Sequence, residues 1–141
     1  MIASHLLRRK IFIYGIIFLT AFSLRLAYIL NYNKPLVSDE EVYNNLALSI
    51  VNNGSYDIEG AYSRPPLYPF FISVVYFLFG QNLIIVRIIQ AILDSLMCVL
   101  IYELCCKLFT GPIAWTASLM SACYLLFIKG ASRFLTETLF T

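Results

Sequence analysis

The stretch NLIIVRIIQAILDSLMCVLIYELCCK, residues 82–107, decides the class of fold. At about 1.5 Å per residue, a helix of this length exceeds the roughly 30 Å hydrocarbon core of a bilayer. Arg87, Gln90 and Asp94 stand three and four residues apart, so they share one stripe of that helix. Polar groups in a spanning helix turn toward other protein rather than toward lipid. The stretch therefore predicts a membrane crossing that packs against further helices.

The composition also indicates an integral membrane protein. Hydrophobic residues make up 60% of the chain and charged residues 13%, and the mean hydropathy is +0.79. A soluble domain carries about 25% charged residues, so this chain has few groups to face water. The net charge of +2 and the lack of a basic patch exclude nucleic acid as an expected partner. The four cysteines match no zinc spacing and are interpreted as small apolar residues of membrane helices.

Two more apolar runs predict crossings on either side of this helix. The first, at about 11–30, follows a basic cluster at residues 8–10. It is longer than the roughly 7–15 residues of a signal-peptide core, and the cluster places the N-terminus in the cytoplasm. The third crossing is predicted at about 112–129. The chain ends inside an apolar segment, so we expect a fragment, with about three crossings, of a longer multi-pass protein.

Residues 31–81 form the predicted outer loop. Ser38 and Glu41 make a capping box, and Gly54 suits a helix stop, so we expect an amphipathic helix at about 39–52 on the outer membrane surface. A second apolar helix, at about 66–79, covers roughly 20 Å and is too short to span. It is expected to be interfacial. If it crossed the bilayer instead, Asp39 and Glu137 would lie on opposite faces.

The acidic residues allow two interpretations. In the first, Asp39 and Glu40 only open a helix, where carboxylates complement the helix dipole. In the second, one of them removes a proton from an acceptor hydroxyl. Glu137, in apolar surroundings, either faces a polar cavity or pairs with Arg133 four residues earlier. Basic residues near the outer face suit a lipid-carrier phosphate, although interfacial snorkelling explains each one singly. The same two interpretations, a phosphate contact or snorkelling, apply to Arg25 in the first crossing. The Arg87–Asp94 stripe is either a structural ion pair or a ligand contact.

An ordered set of short motifs resembles the bacterial family-39 glycosyltransferases. These are relatives of the dolichyl-phosphate-mannose–protein mannosyltransferases and of the aminoarabinose transferases that modify lipid A. The resemblance runs from about Arg25 to the last residue, although the family often has a proline near Leu125 that this chain lacks. The motifs include Asp39-Glu40-x-x-Tyr43, Gly54-Ser55-Tyr56, Arg64-Pro65-Pro66-Leu67-Tyr68-Pro69, Val86-Arg87-x-x-Gln90 and Leu135-Thr136-Glu137.

The resemblance implies a GT-C fold, an all-α polytopic helical bundle whose first outer loop carries an Asp-Glu pair on a juxtamembrane helix. It implies an inverting transfer of a sugar from a polyprenyl-phosphate donor to a hydroxyl of a protein, lipid or glycan, in the plasma membrane. Asp39 would be the catalytic base, Glu40 its partner and Glu137 the second acidic position. The expected substrate contacts are Tyr43, Arg64, Arg87 and Arg133.

No cofactor follows with certainty from the sequence. A divalent metal bridging Asp39 and Glu137 to the phosphate is compatible with the two carboxylates, although no histidine accompanies them. We expect the chain by itself to be inactive, because the remaining crossings of such an enzyme help to bind the donor.

The alternative is a non-catalytic polytopic membrane protein, such as a transporter subunit or an assembly partner. In that case the acidic turn is only a helix cap and the Arg87–Asp94 stripe is packing. A transporter needs charges near the bilayer midplane, whereas the enzyme needs its acids to converge at the outer face.

Overall fold

The computed structural model is all-helical over the residues it describes, which are 2–31, 36, 39–56, 65–130 and 133. This confirms the predicted all-α fold. The helices are α1 (Ile2–Asn31), α2 (Asp39–Asn53), α3 (Leu67–Phe79), α4 (Leu83–Leu108), α5 (Gly111–Cys123) and α6 (Leu125–Gly130).

Glycines end two of these helices. Gly54 follows α2 with φ +66°, and its N–H donates to the Ile50 carbonyl at 3.1 Å. Gly80 follows α3 with φ +79° and donates to the Tyr76 carbonyl at 2.9 Å. A side chain with a Cβ rarely adopts these backbone angles, so glycine is the residue that can close each helix in this way.

The surface of the bundle is apolar and its interior holds charge. The described helices long and apolar enough to cross a membrane are α1, over Arg8–Asn31, and α4. Phe12 is 68% exposed and Phe77 is 81% exposed, while Arg25 is fully enclosed and Asp94 is 6% exposed. An apolar surface around an interior that encloses charged side chains is the arrangement expected when the helices face lipid. The protein is therefore a membrane protein.

Helices α1 and α4 run antiparallel. Glu103 accepts a hydrogen bond from the Tyr14 hydroxyl and lies 3.9 Å from the Lys10 ammonium at one end. Toward the other end, Arg25 pairs with Asp94. Asn31 and Leu83 consequently lie at the same end of the pair, so residues 32–82 leave and rejoin it on one side. Helices α2 and α3 pack together in that connection.

The third apolar segment is interrupted. The sequence predicts one helix at about 112–129, but the backbone at Tyr124 is extended, with φ −66° and ψ 114°, which separates α5 from α6. Helix α5 runs antiparallel to α4, because Trp115 contacts Tyr102 with ring centroids 5.6 Å apart and Ser121 Oγ lies 3.6 Å from Cys98 Sγ. The end of α5 is therefore level with the middle of α4. No proline occurs at or next to the interruption.

A buried ion pair connects the two long helices. Arg25 Nε donates to Asp94 Oδ2 at 2.5 Å, and Arg25 Nη1 donates to the Ala21 carbonyl at 3.0 Å. Its Nη2 lies 3.6 Å from Cys98 Sγ. Burying charge is costly unless partners and further hydrogen bonds compensate it, and the planar guanidinium supplies the donors for that. Of the two interpretations of Asp94, the structure shows the ion pair, and its partner is Arg25, for which the sequence suggested a phosphate contact or snorkelling.

Removing one partner of this pair should destabilise the bundle strongly. Asp94→Leu leaves the Arg25 guanidinium buried and uncompensated, so we expect a loss of about 3–5 kcal/mol in the free energy of unfolding. The double variant Arg25→Met/Asp94→Leu removes both charges and should recover most of that loss. Thermal unfolding of the detergent-solubilised protein measures both. An Asp94→Leu protein as stable as the native one would contradict the role of the pair.

Candidate functional site

The candidate site lies where α2, α3 and the start of α4 meet, at the end of the bundle away from Arg8. A cluster of buried side chains holds these elements together. Tyr43 of α2 packs edge-on against Tyr68 of α3 with ring centroids 5.2 Å apart, and both rings are buried. The i, i+3, i+7 spacing of Glu40, Tyr43 and Ala47 places the buried face of α2 on this contact. The acidic first turn of α2 is thereby fixed against the bundle.

The three carboxylates of that turn have different surroundings. Glu40 is 4% exposed, Asp39 is half-buried and Glu41 is exposed. All three lie in the first turn, where the helix dipole favours negative charge. Only Glu40 faces inward, so a helix cap alone does not account for its burial.

Arg133 meets Glu40. Its Nε lies 4.0 Å from Glu40 Oε1, and the Arg133 side chain is 56% exposed while that of Glu40 is 6% exposed. The sequence suggested either Glu137 or substrate as the partner of Arg133. The structure joins Arg133, three residues after α6, to the acidic turn of α2, two segments far apart in the chain. The pairing with Glu137 lies outside the described residues.

Gln90 occupies the centre of the site. It is 1% exposed, and its Nε2 donates to the Tyr68 hydroxyl at 2.9 Å and to the Arg133 carbonyl at 3.3 Å. One amide of α4 thus touches both α3 and the segment beyond α6. Sequence reasoning placed Gln90 and Tyr68 in family motifs without assigning them to the site. The signal for Gln90 was its place on the polar stripe of α4.

Tyr68 is held as a neutral phenol. Burial raises the pKa of Tyr68, the hydrogen bond from Gln90 opposes this, and the negative charge of Glu40 adds to the increase. A phenol with a raised pKa donates and accepts hydrogen bonds at neutral pH but does not act as a base there. The carboxylates of α2 are therefore the candidate bases among the described residues of this site.

Arg87 lies one turn of α4 from Gln90, and it is 6% exposed. Burial raises the pKa of the neighbouring Tyr76 to about 12, and the positive charge of Arg87 opposes that increase. The Tyr76 hydroxyl donates to Asn44 Oδ1 of α2 at 2.6 Å. The buried Arg87 of α4 thus lies near Tyr76, a side chain of α3 that contacts the acidic helix.

Arg64 and Glu137 lie outside the described residues. The convergence of Glu137 with Asp39 stays a prediction. The described part of the chain contains no group of three or more His, Cys, Asp or Glu residues able to hold a metal ion. The predicted metal required Glu137, so it too stays a prediction.

The fold and this cluster define a class of protein: an all-α membrane protein with a charged site at one end of its helical bundle. The sequence profile of the family described as dolichyl-phosphate-mannose-protein mannosyltransferase matches residues 63–141. The chain therefore belongs to that family, which confirms the resemblance and makes it a membrane glycosyltransferase-like protein of the GT-C type. No curated protein and no solved structure matches the chain significantly. The matched region contains Tyr68, Arg87, Gln90 and Arg133, while the acidic turn of α2 precedes it.

The contribution of Tyr76 to stability should depend on pH in the alkaline range. Its pKa rises from an ordinary value of 10.0 to about 12 on folding, so the contribution is constant below pH 10 and is lost between pH 10 and 12. Tyr76→Phe should cost about 1 kcal/mol near pH 8 through the lost hydrogen bond to Asn44. Its thermal midpoint should then fall less steeply than the native one between pH 10 and 12. Parallel curves for the two proteins would contradict this.

Proposed function

We propose that the protein transfers a sugar from a polyprenyl-phosphate donor to a hydroxyl group of a protein, lipid or glycan at the outer membrane face. One observation carries the proposal. The acidic turn of α2 contacts Arg133 through Glu40 and Tyr68 through Tyr43. Gln90 of α4, three residues after the buried Arg87, donates to both the Tyr68 hydroxyl and the Arg133 carbonyl. Carboxylates able to activate a hydroxyl and cations able to bind a phosphate thus share one end of the bundle.

Asp39 acts as the general base in this proposal. A base must come within about 3 Å of the hydroxyl it deprotonates, and the half-buried Asp39 keeps the access that the enclosed Glu40 lacks. Glu40, paired with Arg133, fixes the turn from inside. Tyr43 lies one turn after Glu40 on the same face of α2, and it contributes to the wall against which the substrate lies.

Arg87 and Arg133 act on the donor phosphate. Guanidinium groups bind phosphate oxygens through two parallel hydrogen bonds, and a cation at the leaving group stabilises the charge that develops there. Arg64, placed by its motif in the same loop, would join them. The acceptor oxygen attacks the anomeric carbon as its proton passes to Asp39. The bond to phosphate breaks with its electron pair remaining on the phosphate, so the anomeric centre inverts.

The antiparallel pair of α1 and α4 supports the outer location. The basic cluster at residues 8–10 favours the cytoplasmic side, and the acidic turn lies at the opposite end of α1. Because residues 32–82 rejoin the pair at that same end, the 13-residue α3 has no need to cross. The arrangement supports an active site facing away from the cytoplasm in the plasma membrane.

The transporter interpretation has one observation in its favour, since the Arg25–Asp94 pair lies near the middle of α4. A coupling site, however, needs charges that reach a cavity. Arg25 and Asp94 are instead paired with each other, and Arg25 also donates to the Ala21 and Ala122 carbonyls, so the pair serves packing. Membership of the mannosyltransferase family favours the enzyme.

Asp39→Asn in the full-length protein should lower sugar transfer by roughly 10²–10⁴-fold, since the amide cannot accept the hydroxyl proton. Membrane expression should be unchanged. The matched control is Glu41→Gln, an exposed carboxylate of the same turn, which should retain near-native transfer from a polyprenyl-phosphate sugar. Native activity in Asp39→Asn would remove the base assignment.

Arg87→Gln should lower kcat by roughly 10²–10³-fold, because a cation that stabilises the leaving phosphate acts mainly in the transition state. Lys107→Gln, at the other end of the same helix, controls for a general effect of charge. Steady-state kinetics over a range of donor concentrations separates kcat from KM. An increase in KM with unchanged kcat would mean that Arg87 only binds the donor.

A further inference from the structure

The interruption between α5 and α6 leaves backbone groups without their usual helical partners. The Tyr124 N–H donates to the Ser121 carbonyl at 3.4 Å, and the regular pattern resumes when the Ile128 N–H donates to the Tyr124 carbonyl at 3.1 Å. Carbonyls in the last turn of α5, including that of Ala122, must find donors from outside the helix. At membrane depth, water does not supply them.

Arg25 supplies one of these donors. Its Nη1 donates to the Ala122 carbonyl at 3.3 Å, while Nε holds Asp94 at 2.5 Å. The positive charge thus lies at the C-terminal end of α5, where the helix dipole is negative. A single side chain of α1 joins α4 to the end of α5, and Asp94 fixes the direction of its guanidinium.

The interruption separates an inner half of the crossing from an outer half. Helix α5 forms the inner half and is held along α4 by the Tyr102–Trp115 contact. Helix α6 forms the outer half, packs against α1, and leads to Arg133 at the site. The direction in which α6 leaves the interruption therefore determines where Arg133 arrives.

We propose that Arg25 is a positioning residue. By capping the end of α5 while anchored to Asp94, it fixes the course of α6 and so keeps Arg133 beside Glu40. Arg25 does not touch the reacting groups. Its effect on sugar transfer rests on the proposed function, whereas its effect on the position of α6 does not.

Distances between spin labels in the full-length protein in lipid nanodiscs test this. Labels on a non-natural amino acid avoid reaction with the native cysteines. One pair, at the exposed positions Asn45 and Leu126, reports α2 to α6. A second pair, at Asn45 and the exposed Leu119, reports α2 to α5. The native protein should give one narrow distance distribution for each pair.

Arg25→Lys keeps a charge beside Asp94 but replaces the planar fork with a single ammonium, so the Ala122 contact should be lost. The α2–α6 distribution should then broaden while the α2–α5 distribution stays narrow. The double variant Arg25→Met/Asp94→Leu, which leaves no unpaired buried charge, should give the same result. Transfer by Arg25→Lys should fall by roughly 10–100-fold, as expected for a displaced group at a reacting centre.

The matched control is Ser95→Ala. Ser95 is buried beside Asp94 and, in the described part of the chain, donates to the Ala91 carbonyl of its own helix at 2.6 Å, so both distributions should stay native. A native α2–α6 distribution in both Arg25 variants would overturn the proposal. Equal broadening of the α2–α5 distribution would also overturn it, because the effect would then be general. If Asp39→Asn retains activity, the base assignment falls while the distances still decide the role of Arg25.

Discussion

The buried pair of Arg25 and Asp94 is the constraint on which the arrangement depends. In a lipid-facing bundle, a shift of α1 along α4 by one turn would separate these charges and expose one of them to hydrocarbon. Apolar contacts alone offer many nearly equivalent registers, whereas this pair favours one. At the far end, Glu103 meets Tyr14 and Lys10 in the same antiparallel register. The two polar contacts together determine which residues of the intervening segment, α2 and α3, can reach α4.

The site uses the same stripe of α4 that carries the ion pair. Asp94 pairs with Arg25 of α1, and Gln90, one turn away, donates hydrogen bonds to the Tyr68 hydroxyl and the Arg133 carbonyl. Arg87 lies about one more turn toward the end of the bundle. The polar residues of α4 thus run from the ion pair with α1 to the contacts with α3 and the segment after α6. This explains why α4, in a family of membrane glycosyltransferases, combines strong apolarity with regularly spaced polar residues.

Much of the helical framework follows from local sequence. The length of the apolar run predicts α4 at 82–107 against the observed Leu83–Leu108, and Gly54 marks the end of α2 because it takes a positive φ. The interruption at Tyr124 was not predicted, since neither glycine nor proline occurs there and its nearest cap comes from Arg25 on another helix. The Glu40–Arg133 contact was missed for the same reason, because it depends on how distant segments pack. Periodicity showed that Gln90 faces inward, but not which groups it meets.

The central claim is that the acidic turn of α2 and the polar stripe of α4 form one site at the end of the bundle opposite Arg8. An experimental structure of the full-length protein with a non-transferable polyprenyl-phosphate sugar analogue tests this most directly. The account predicts the phosphate against Arg87 and the anomeric carbon facing Asp39, on the side of the membrane away from residues 8–10. A donor phosphate bound on the same side as those residues, or remote from α2, would contradict it.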